Sequence, residues 1–310
     1  MAVPADVRAY VSENGLTERS SRKASGRTLA VVGLYAGLAV LGFAVHRWPA
    51  WLAVWFAQGC ILVGSYSAMH EAAHSTLYPS RWANRLAGPI WASTILVNWS
   101  LWRSFHLEHH AHTGTDTDPK LKHRFTITNP WQYLLLPFGG LAFMGELWLE
   151  SLGTLFGRFP SYVRRGAGRG AIRFDAAVLL LVTTALVLGV VAAPSIVIHL
   201  WLAPMLVTFC IALPATGMSE HYGCALGGEV FDTTRSVRSN RVFRFLVWNN
   251  NFHVEHHLMA SVPFSQAPKL HAYLAPRLNH WSPSYVSFHR DILRSCREQA
   301  KARHTERVGI

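Results

Sequence analysis

The chain of 310 residues is half hydrophobic, contains 12 tryptophans and has only 15% charged residues. This composition excludes an ordinary soluble enzyme of that length and predicts an integral membrane protein. The formal net charge of +12 would suit a nucleic-acid binder. However, the basic residues lie almost wholly outside the apolar runs, as the positive-inside rule requires, and this excludes that class. The four cysteines form no CxxC pair, so the sequence offers neither a rubredoxin-type iron site nor a disulfide framework.

Four apolar runs predict membrane-spanning helices arranged as two hairpins, at residues 29–45, 49–69, 176–193 and 196–217. A polar, basic segment of residues 1–28 precedes a membrane domain of residues 29–275, and a basic tail follows over residues 276–310. Arg47 is the only Lys or Arg predicted on the side of the two tight turns, so the other side, with both termini, is predicted to be cytoplasmic. The predicted fold class is therefore an all-α integral membrane protein with a cytoplasmic helical cap.

Two further apolar stretches are expected to lie in the membrane interface or to enter the membrane only partly. Residues 86–102 are interrupted by Pro89, and residues 131–156 contain Glu146 and Glu150. Spanning helices at these positions would bury carboxylates or carry a histidine cluster to the far side of the membrane. Interfacial helices avoid both problems.

Three histidine clusters, HEAAH at 70–74, HLEHH at 106–110 and HVEHH at 253–257, are the predicted functional core. Imidazole is a good ligand for iron, zinc, copper or nickel, and eight imidazoles are too many for one zinc. Residues four apart share a helix face, and we expect the first and fourth residues of each HxEHH box to share one as well, with the fifth beside the fourth. One such box can supply two metals at once. The clusters predict a site with two metals, whose ligands would be His70, His74, His106, His109, His110, His253, His256 and His257.

A lone histidine, His221, is a candidate ninth ligand because it follows the last span as His70 follows the second. A HxEHH box comes after each of these two histidines at a similar interval. The chain therefore reads as two matched halves, each a hairpin, a histidine at its inner end and a box. We expect each half to supply one ligand set, with the metals between the halves. His112 is expected at the surface, and the histidines outside the boxes are given no role.

Carboxylates adjoin the candidate ligands at Glu71, Glu108, Glu220 and Glu255. We expect them to accept the spare ring N–H of a ligating imidazole, which fixes its tautomer and raises its basicity, although direct coordination stays open. Other polar groups are close enough in sequence to act in the same way, namely Asp116, Asp118 and residues 249–251.

Two other functions compete with an oxidative metal site. HEAAH is a literal HExxH, the zinc metalloprotease signature in which Glu71 would be the general base. A protease would need only one further ligand, which leaves both HxEHH boxes without a purpose. A metal transporter would place ionisable groups inside the spans, where this chain has almost none.

The three boxes, their placement after the membrane hairpins and the flanking residues 249–263 resemble the membrane fatty acid desaturase superfamily. That superfamily also holds alkane hydroxylases and carotenoid ketolases, and the resemblance covers roughly residues 40–275. It implies a non-haem diiron centre that activates dioxygen and removes hydrogen from an unactivated C–H bond. It also implies that the eight box histidines are the catalytic ligands, with His221 matching the extra histidine after the last span.

Departures from the acyl-CoA branch of that superfamily leave the substrate open. HEAAH is one residue shorter than the usual first box, and Gly217 stands where those enzymes carry Asn. The bacterial lipid-type desaturases resemble the chain more closely. The prediction is a desaturase of a fatty acyl or related lipid-like substrate in a bacterial cytoplasmic membrane, with electrons from a ferredoxin, rubredoxin or cytochrome b5-type protein. The alternative is a hydroxylase or ketolase of an alkyl chain, carotenoid or small amphiphile.

Overall fold

A computed structural model describes residues 3–164, 166 and 168–308 of the chain, with side chains as far as residue 299. The outermost residues of the predicted N-terminal segment and C-terminal tail, 1–2 and 309–310, lie outside the described residues. The described part is mostly helical with almost no strand, as predicted. Its helices are α1 Ala5–Glu13, α2 Ser21–Val45, α3 Trp48–Ala73, α4 Arg81–Ser93, α5 Trp99–His112, α6 Leu136–Leu155, α7 Arg169–Ala192, α8 Pro194–Glu220, α9 Val230–Thr233, α10 Arg241–Leu246, α11 His253–Leu258, α12 Ala267–Leu274 and α13 Tyr285–Val308.

Short elements connect these helices. Three 3₁₀ turns lie at Leu121–His123, Pro130–Leu135 and Ala275–Arg277. Two strands of two residues, β1 Ser236–Val237 and β2 Trp281–Ser282, pair in parallel.

Four helices, α2, α3, α7 and α8, are long and apolar enough to cross a membrane within the described residues. They correspond to the four predicted spans, but each is longer than its apolar run. Helix α2 begins at Ser21, where the Ser20 side chain accepts a hydrogen bond from Lys23 N. An apolar run marks the part of a helix that contacts lipid, whereas the helix itself continues through basic residues of good helix propensity.

Helix α8 is not uniformly α-helical. It contains two π-helical segments, Ile198–Leu202 and Thr208–Ala212, which lie just ahead of Pro204 and Pro214. Proline lacks the N–H of the helical hydrogen bond and its ring crowds the preceding turn, and a local widening of the helix relieves both.

Helices α4 and α5 form a helical hairpin that packs between the spans. Residues 86–102 form its turn and the adjoining parts of both helices. The two helices have 13 and 14 residues and are about 20 Å long, too short to cross a membrane. Asn98 caps α5, and its Nδ2 donates to Ser151 Oγ at 2.8 Å and to the Ile172 carbonyl at 3.0 Å. Trp201 Nε1 donates to the Thr94 carbonyl at 2.9 Å, so the tip of the hairpin reaches α8. The partly submerged arrangement predicted for this stretch agrees with the structure.

Helices α3 and α8 pack closely and end at the same place. Thr208 Oγ1 donates to the Gly59 carbonyl at 3.1 Å, and a side chain at Gly59 would collide with Val207. Because the C-terminal ends of both helices meet near His70 and His221, the tight turns of the two hairpins lie at the opposite end of the molecule.

The N-terminal segment packs onto the cap. Val7, Val11 and Leu16 are buried in a cluster with apolar side chains of α9, α11 and α12. Tyr10 stacks on Tyr273 with ring centroids 3.9 Å apart. Helix α1 therefore covers the helix that holds the third histidine box.

We predict that Gly64→Ala destabilises the protein. A Cβ at Gly64 of α3 would overlap the Leu246 carbonyl oxygen at the end of α10, and neither backbone can rotate away. Such overpacking costs about 1–3 kcal/mol, so the thermal midpoint of the detergent-solubilised protein should fall by several degrees. Gly37→Ala is the matched control, because open space surrounds Gly37 of α2 and alanine favours helix there. Equal midpoints for the two variants would contradict the close contact.

Candidate metal centre

The first histidine box lies at the end of α3. His70 is on the last turn of the helix and His74 caps it one turn later, with small buried residues, Ala72 and Ala73, between them. Their rings are 5.2 Å apart between centroids. The helix thus continues through the box, whereas the sequence predicted a span that ends at residue 69.

The second box occupies the last two turns of α5. The Trp102 ring stacks on His106 with centroids 4.6 Å apart. Arg103 Nε donates to the Ala73 carbonyl at 3.0 Å. This bond ties the end of α5 to the end of α3 and brings the first two boxes together.

The third box is on α11, a helix of only six residues. So short a helix needs support from outside, and two side chains supply it. Ser236 Oγ of β1 accepts from Val254 N at 3.0 Å and donates to Glu255 Oε2. His271 Nδ1 of α12 donates to Glu255 Oε1 at 2.5 Å. Sequence reasoning gave His271 no role, because nothing in the sequence places it opposite Glu255.

The structure brings all nine candidate histidines together as two adjacent groups. The ligand atoms of each group lie within 4.8 Å of one another. The five-histidine group consists of His70, His74, His106, His110 and His256, and the four-histidine group of His109, His221, His253 and His257.

The ring nitrogens within each group are spaced as metal ligands are. In the five-histidine group, His74 Nε2 is 2.8 Å from His106 Nε2, and His110 Nε2 is 2.9 Å from His256 Nε2. In the four-histidine group, His221 Nε2 is 3.2 Å from His109 Nε2. Two nitrogens at right angles around an ion with bonds of 2.0–2.1 Å would be about 3 Å apart.

Each HxEHH box contributes to both groups, as expected of a box that can supply two metals, but the division within each box differs from the expected one. His106 and His110 share one group while His109 joins the other, and His253 and His257 share one group while His256 joins the other. The first and fifth residues therefore share a face, rather than the first and fourth. On a helix the former are about 40° apart and the latter about 60° in the opposite sense. The two halves of the chain also do not supply one ligand set each.

Burial keeps these imidazoles neutral. Loss of solvation lowers the pKa of His74 to about 3 and lowers the pKa of the box histidines on α5 and α11 well below the usual value. Neutral imidazole is the form that binds metal.

The donor set fits two metal ions. His70 is only 1% exposed, and neither Nδ1 nor Nε2 of its ring has a hydrogen-bond partner. A buried polar atom without a partner is costly, and native proteins rarely leave one. A cation at the centre of the five-histidine group would satisfy one of these two nitrogens.

In three rings of the four-histidine group, a hydrogen bond holds Nδ1, the nitrogen that points away from the other histidines. His109 Nδ1 lies 2.9 Å from Asp118 Oδ1, and His221 Nδ1 lies 2.9 Å from the Thr233 carbonyl. His257 Nδ1 lies 3.3 Å from Thr113 Oγ1. The sequence suggested Asp118 by its position. It could not suggest Thr233, because the contact is made by the backbone carbonyl, which every residue has.

The expectation that the glutamates next to candidate ligands accept from ligating imidazoles is wrong for three of the four within the described residues. Glu71 accepts from Thr76 Oγ1 and Phe264 N, both at 2.9 Å. Glu108 pairs with Arg164, and Glu255 is held by the supports of α11. A residue next to a ligand on a helix points about 100° away from it. Glu71 thus does not face the histidines as the general base of a zinc protease would.

Glu220 is the one of the four whose carboxylate lies beside a candidate ligand, at the ring nitrogen of His253 that also faces His221. Its Oε2 accepts from Lys120 Nζ at 2.6 Å and lies 3.5 Å from His253 Nε2. The other polar candidates, Asp116, His112 and residues 249–251, make no hydrogen bond to the nine histidines in the described structure. His112 is near Glu108, and Asn251 bonds to the Val237 carbonyl.

A cavity of about 620 Å³ reaches the histidines from one side. His106, His109 and His253 form part of its wall, and most of the remainder comes from α3, α6, α8 and the loop that joins α5 to α6. Its volume is typical of a small-molecule site.

Comparison with known proteins decides the family. The profile of the fatty acid desaturase family matches residues 21–289. The chain belongs to the fatty acid desaturase family. This desaturase is 25% identical over 282 residues to the endoplasmic-reticulum omega-3 fatty acid desaturase of Vigna radiata var. radiata, an alignment that covers 84% of this chain and 73% of that enzyme.

Other plant desaturases match as well. This desaturase is 26% identical over 263 residues to the Delta(12) fatty acid desaturase FAD2 of Calendula officinalis, covering 75% of this chain and 68% of that enzyme. Over 66 residues it is 41% identical to the acyl-lipid (9+3)-(E)-desaturase of Dimorphotheca sinuata, which is 21% of this chain and 17% of that enzyme. The predicted family and the predicted class, a desaturase-like membrane oxidoreductase, are confirmed.

We predict that Asp118→Asn weakens metal binding by about 10- to 100-fold, because the carboxylate that orients His109 is lost. Metal content per chain after dialysis against a chelator would measure the effect. Asp116→Asn is the control, since Asp116 is exposed two residues away. Equal metal retention by the two variants would show that Asp118 does not support a ligand.

Proposed function

We propose that this desaturase uses two irons and dioxygen to introduce a double bond into a lipid-like substrate. The observation that carries the proposal is the pair of adjacent groups of buried, neutral imidazoles beside a cavity of about 620 Å³. Irons bound there would supply the reduction of dioxygen and the removal of hydrogen from a C–H bond. Desaturation consumes dioxygen, two electrons and two protons, and it yields the alkene and two waters.

The residues of the chain perform three tasks in this reaction. Nine histidines hold the ions, and their partners Asp118 and the Thr233 carbonyl fix the rings. The packing of α3, α5 and α8 keeps water from the site, which limits side reactions. The cavity wall presents the substrate to His106, His109 and His253, and placement of the substrate decides between loss of a second hydrogen and return of a hydroxyl.

Electrons would come from a ferredoxin, rubredoxin or cytochrome b5-type protein at the face where the histidines lie. Basic residues concentrate near that face, including Arg22 and Lys23 at the start of α2 and Arg169 at the start of α7. This charge supports a cytoplasmic location of the face and of both termini, and we propose a bacterial cytoplasmic membrane as the site. The charge would also speed encounter with an acidic electron carrier.

We predict two irons per purified chain and strict dependence of turnover on dioxygen. His256→Ala removes one ligand of the five-histidine group, so iron content and turnover should both fall to near background. Mass spectrometry of lipids from expressing cells gives the product. Loss of two hydrogens shows desaturation.

Three outcomes would contradict the proposal. One zinc and no iron per chain would exclude a diiron site. Retained turnover by the His256→Ala variant would remove the third box from the chemistry. A gain of one oxygen, without loss of hydrogen, would assign a hydroxylase.

We also predict that Gly139→Leu narrows the substrate range. Gly139 of α6 lines the cavity and open space surrounds it, so a leucine fits without strain and fills part of the cavity. Products should shift toward shorter chains, as measured by lipid analysis. Gly145→Leu on the same helix is the control, because Gly145 also faces open space but lies outside the cavity wall. The same shift in both variants would show that the cavity does not hold the substrate.

A further inference from the structure

The cavity has a polar end and an apolar end. The loop between α5 and α6 contributes Lys120, Lys122 and Arg124 to the polar end, and Arg235 joins them from just ahead of β1. Toward the apolar end, Val63 lines the wall, two helical turns or about 10 Å below His70 along α3. The cavity therefore leads from the cap into the membrane-spanning part of the molecule.

Protein carboxylates neutralise two of the four cations. Lys120 Nζ donates to Glu220 Oε2 at 2.6 Å, and Lys122 pairs with Glu146. Glu146 and Glu220 are the acidic side chains among the described residues of the cavity wall. Both are thus already engaged.

The two arginines have no carboxylate partner in the described structure. Nε and Nη2 of Arg124 are closed to water and donate to no acceptor. Arg235 Nη2 donates to the Tyr222 carbonyl at 3.1 Å, but its Nε has no acceptor. Withdrawing a guanidinium from water without a counter-charge is costly. The polar end therefore carries two positive charges that an anion entering the cavity would balance.

We propose that Arg124 and Arg235 bind the ionised head of an anionic amphiphile, a carboxylate or a phosphate, whose tail occupies the apolar end. The inference rests on the proposed function, because it treats the cavity as the substrate site. The guanidinium fork suits carboxylate and phosphate oxygens alike. The tail of such a ligand passes the histidines of the cavity wall. The position of the bound head therefore determines which carbons of the tail face the two histidine groups.

Binding of laurate, dodecyl phosphate and dodecanol to the purified protein in a nonionic detergent tests this assignment by calorimetry. The three probes share one tail and differ in the head. At least one anion should bind about 10-fold or more tightly than dodecanol, and the preferred anion identifies the carboxylate or the phosphate as the natural head. Arg124→Gln should weaken that anion by about 10- to 100-fold while the affinity for dodecanol stays unchanged, which also shows that the variant is folded. Arg124→Lys should lose less affinity for the anion than Arg124→Gln does.

Arg241→Gln is the control, because Arg241 is exposed at the start of α10 and outside the cavity. The proposal is overturned if neither anion binds more tightly than dodecanol, or if Arg124→Gln changes the affinity for anion and alcohol equally. Iron content and turnover are measured separately. A protein without iron that still shows Arg124-dependent anion binding would refute the proposed function and leave the anion site standing.

Discussion

The rest of the structure depends on holding nine imidazoles together in a largely buried space. Each ring loses solvation there, and His70 has no protein partner for either ring nitrogen. The proposed metal ions would offset part of that loss. The surrounding packing serves this requirement: α3 and α8 end at one point, α5 is tied to α3 through Arg103, and α1 covers α11.

The same two helices end at the histidine groups and form part of the cavity wall. Helices α3 and α8 bring their last turns to the metal groups and also form the inner wall of the cavity beside them. The positions of the cavity and of the two histidine groups are therefore set by the same two spans. The π-helical segments of α8 accommodate two prolines without breaking that span.

The sequence predicted the four spans, a stretch between them that does not span the membrane and the histidines that meet, because apolar length and ligand spacing are local signals. It could not predict how each box divides between the groups, since that depends on which face of α5 meets α11. Asp118 was accessible from its position, whereas the Thr233 carbonyl and the support of Glu255 by His271 arise only when distant segments pack together. The roles expected for Glu71, Glu108 and Glu255 failed because a neighbour in sequence points to another side of the helix.

The division of each box between both groups has a consequence for assembly. A chain in which only the first hairpin and its box had folded would hold four of the five histidines of one group and a single histidine of the other. Neither ion could be fully enclosed at that point. The ligand sets are therefore complete only when the second half docks. The same step closes the cavity against α8. Loading of the proposed irons would therefore be linked to completion of the chamber that confines them.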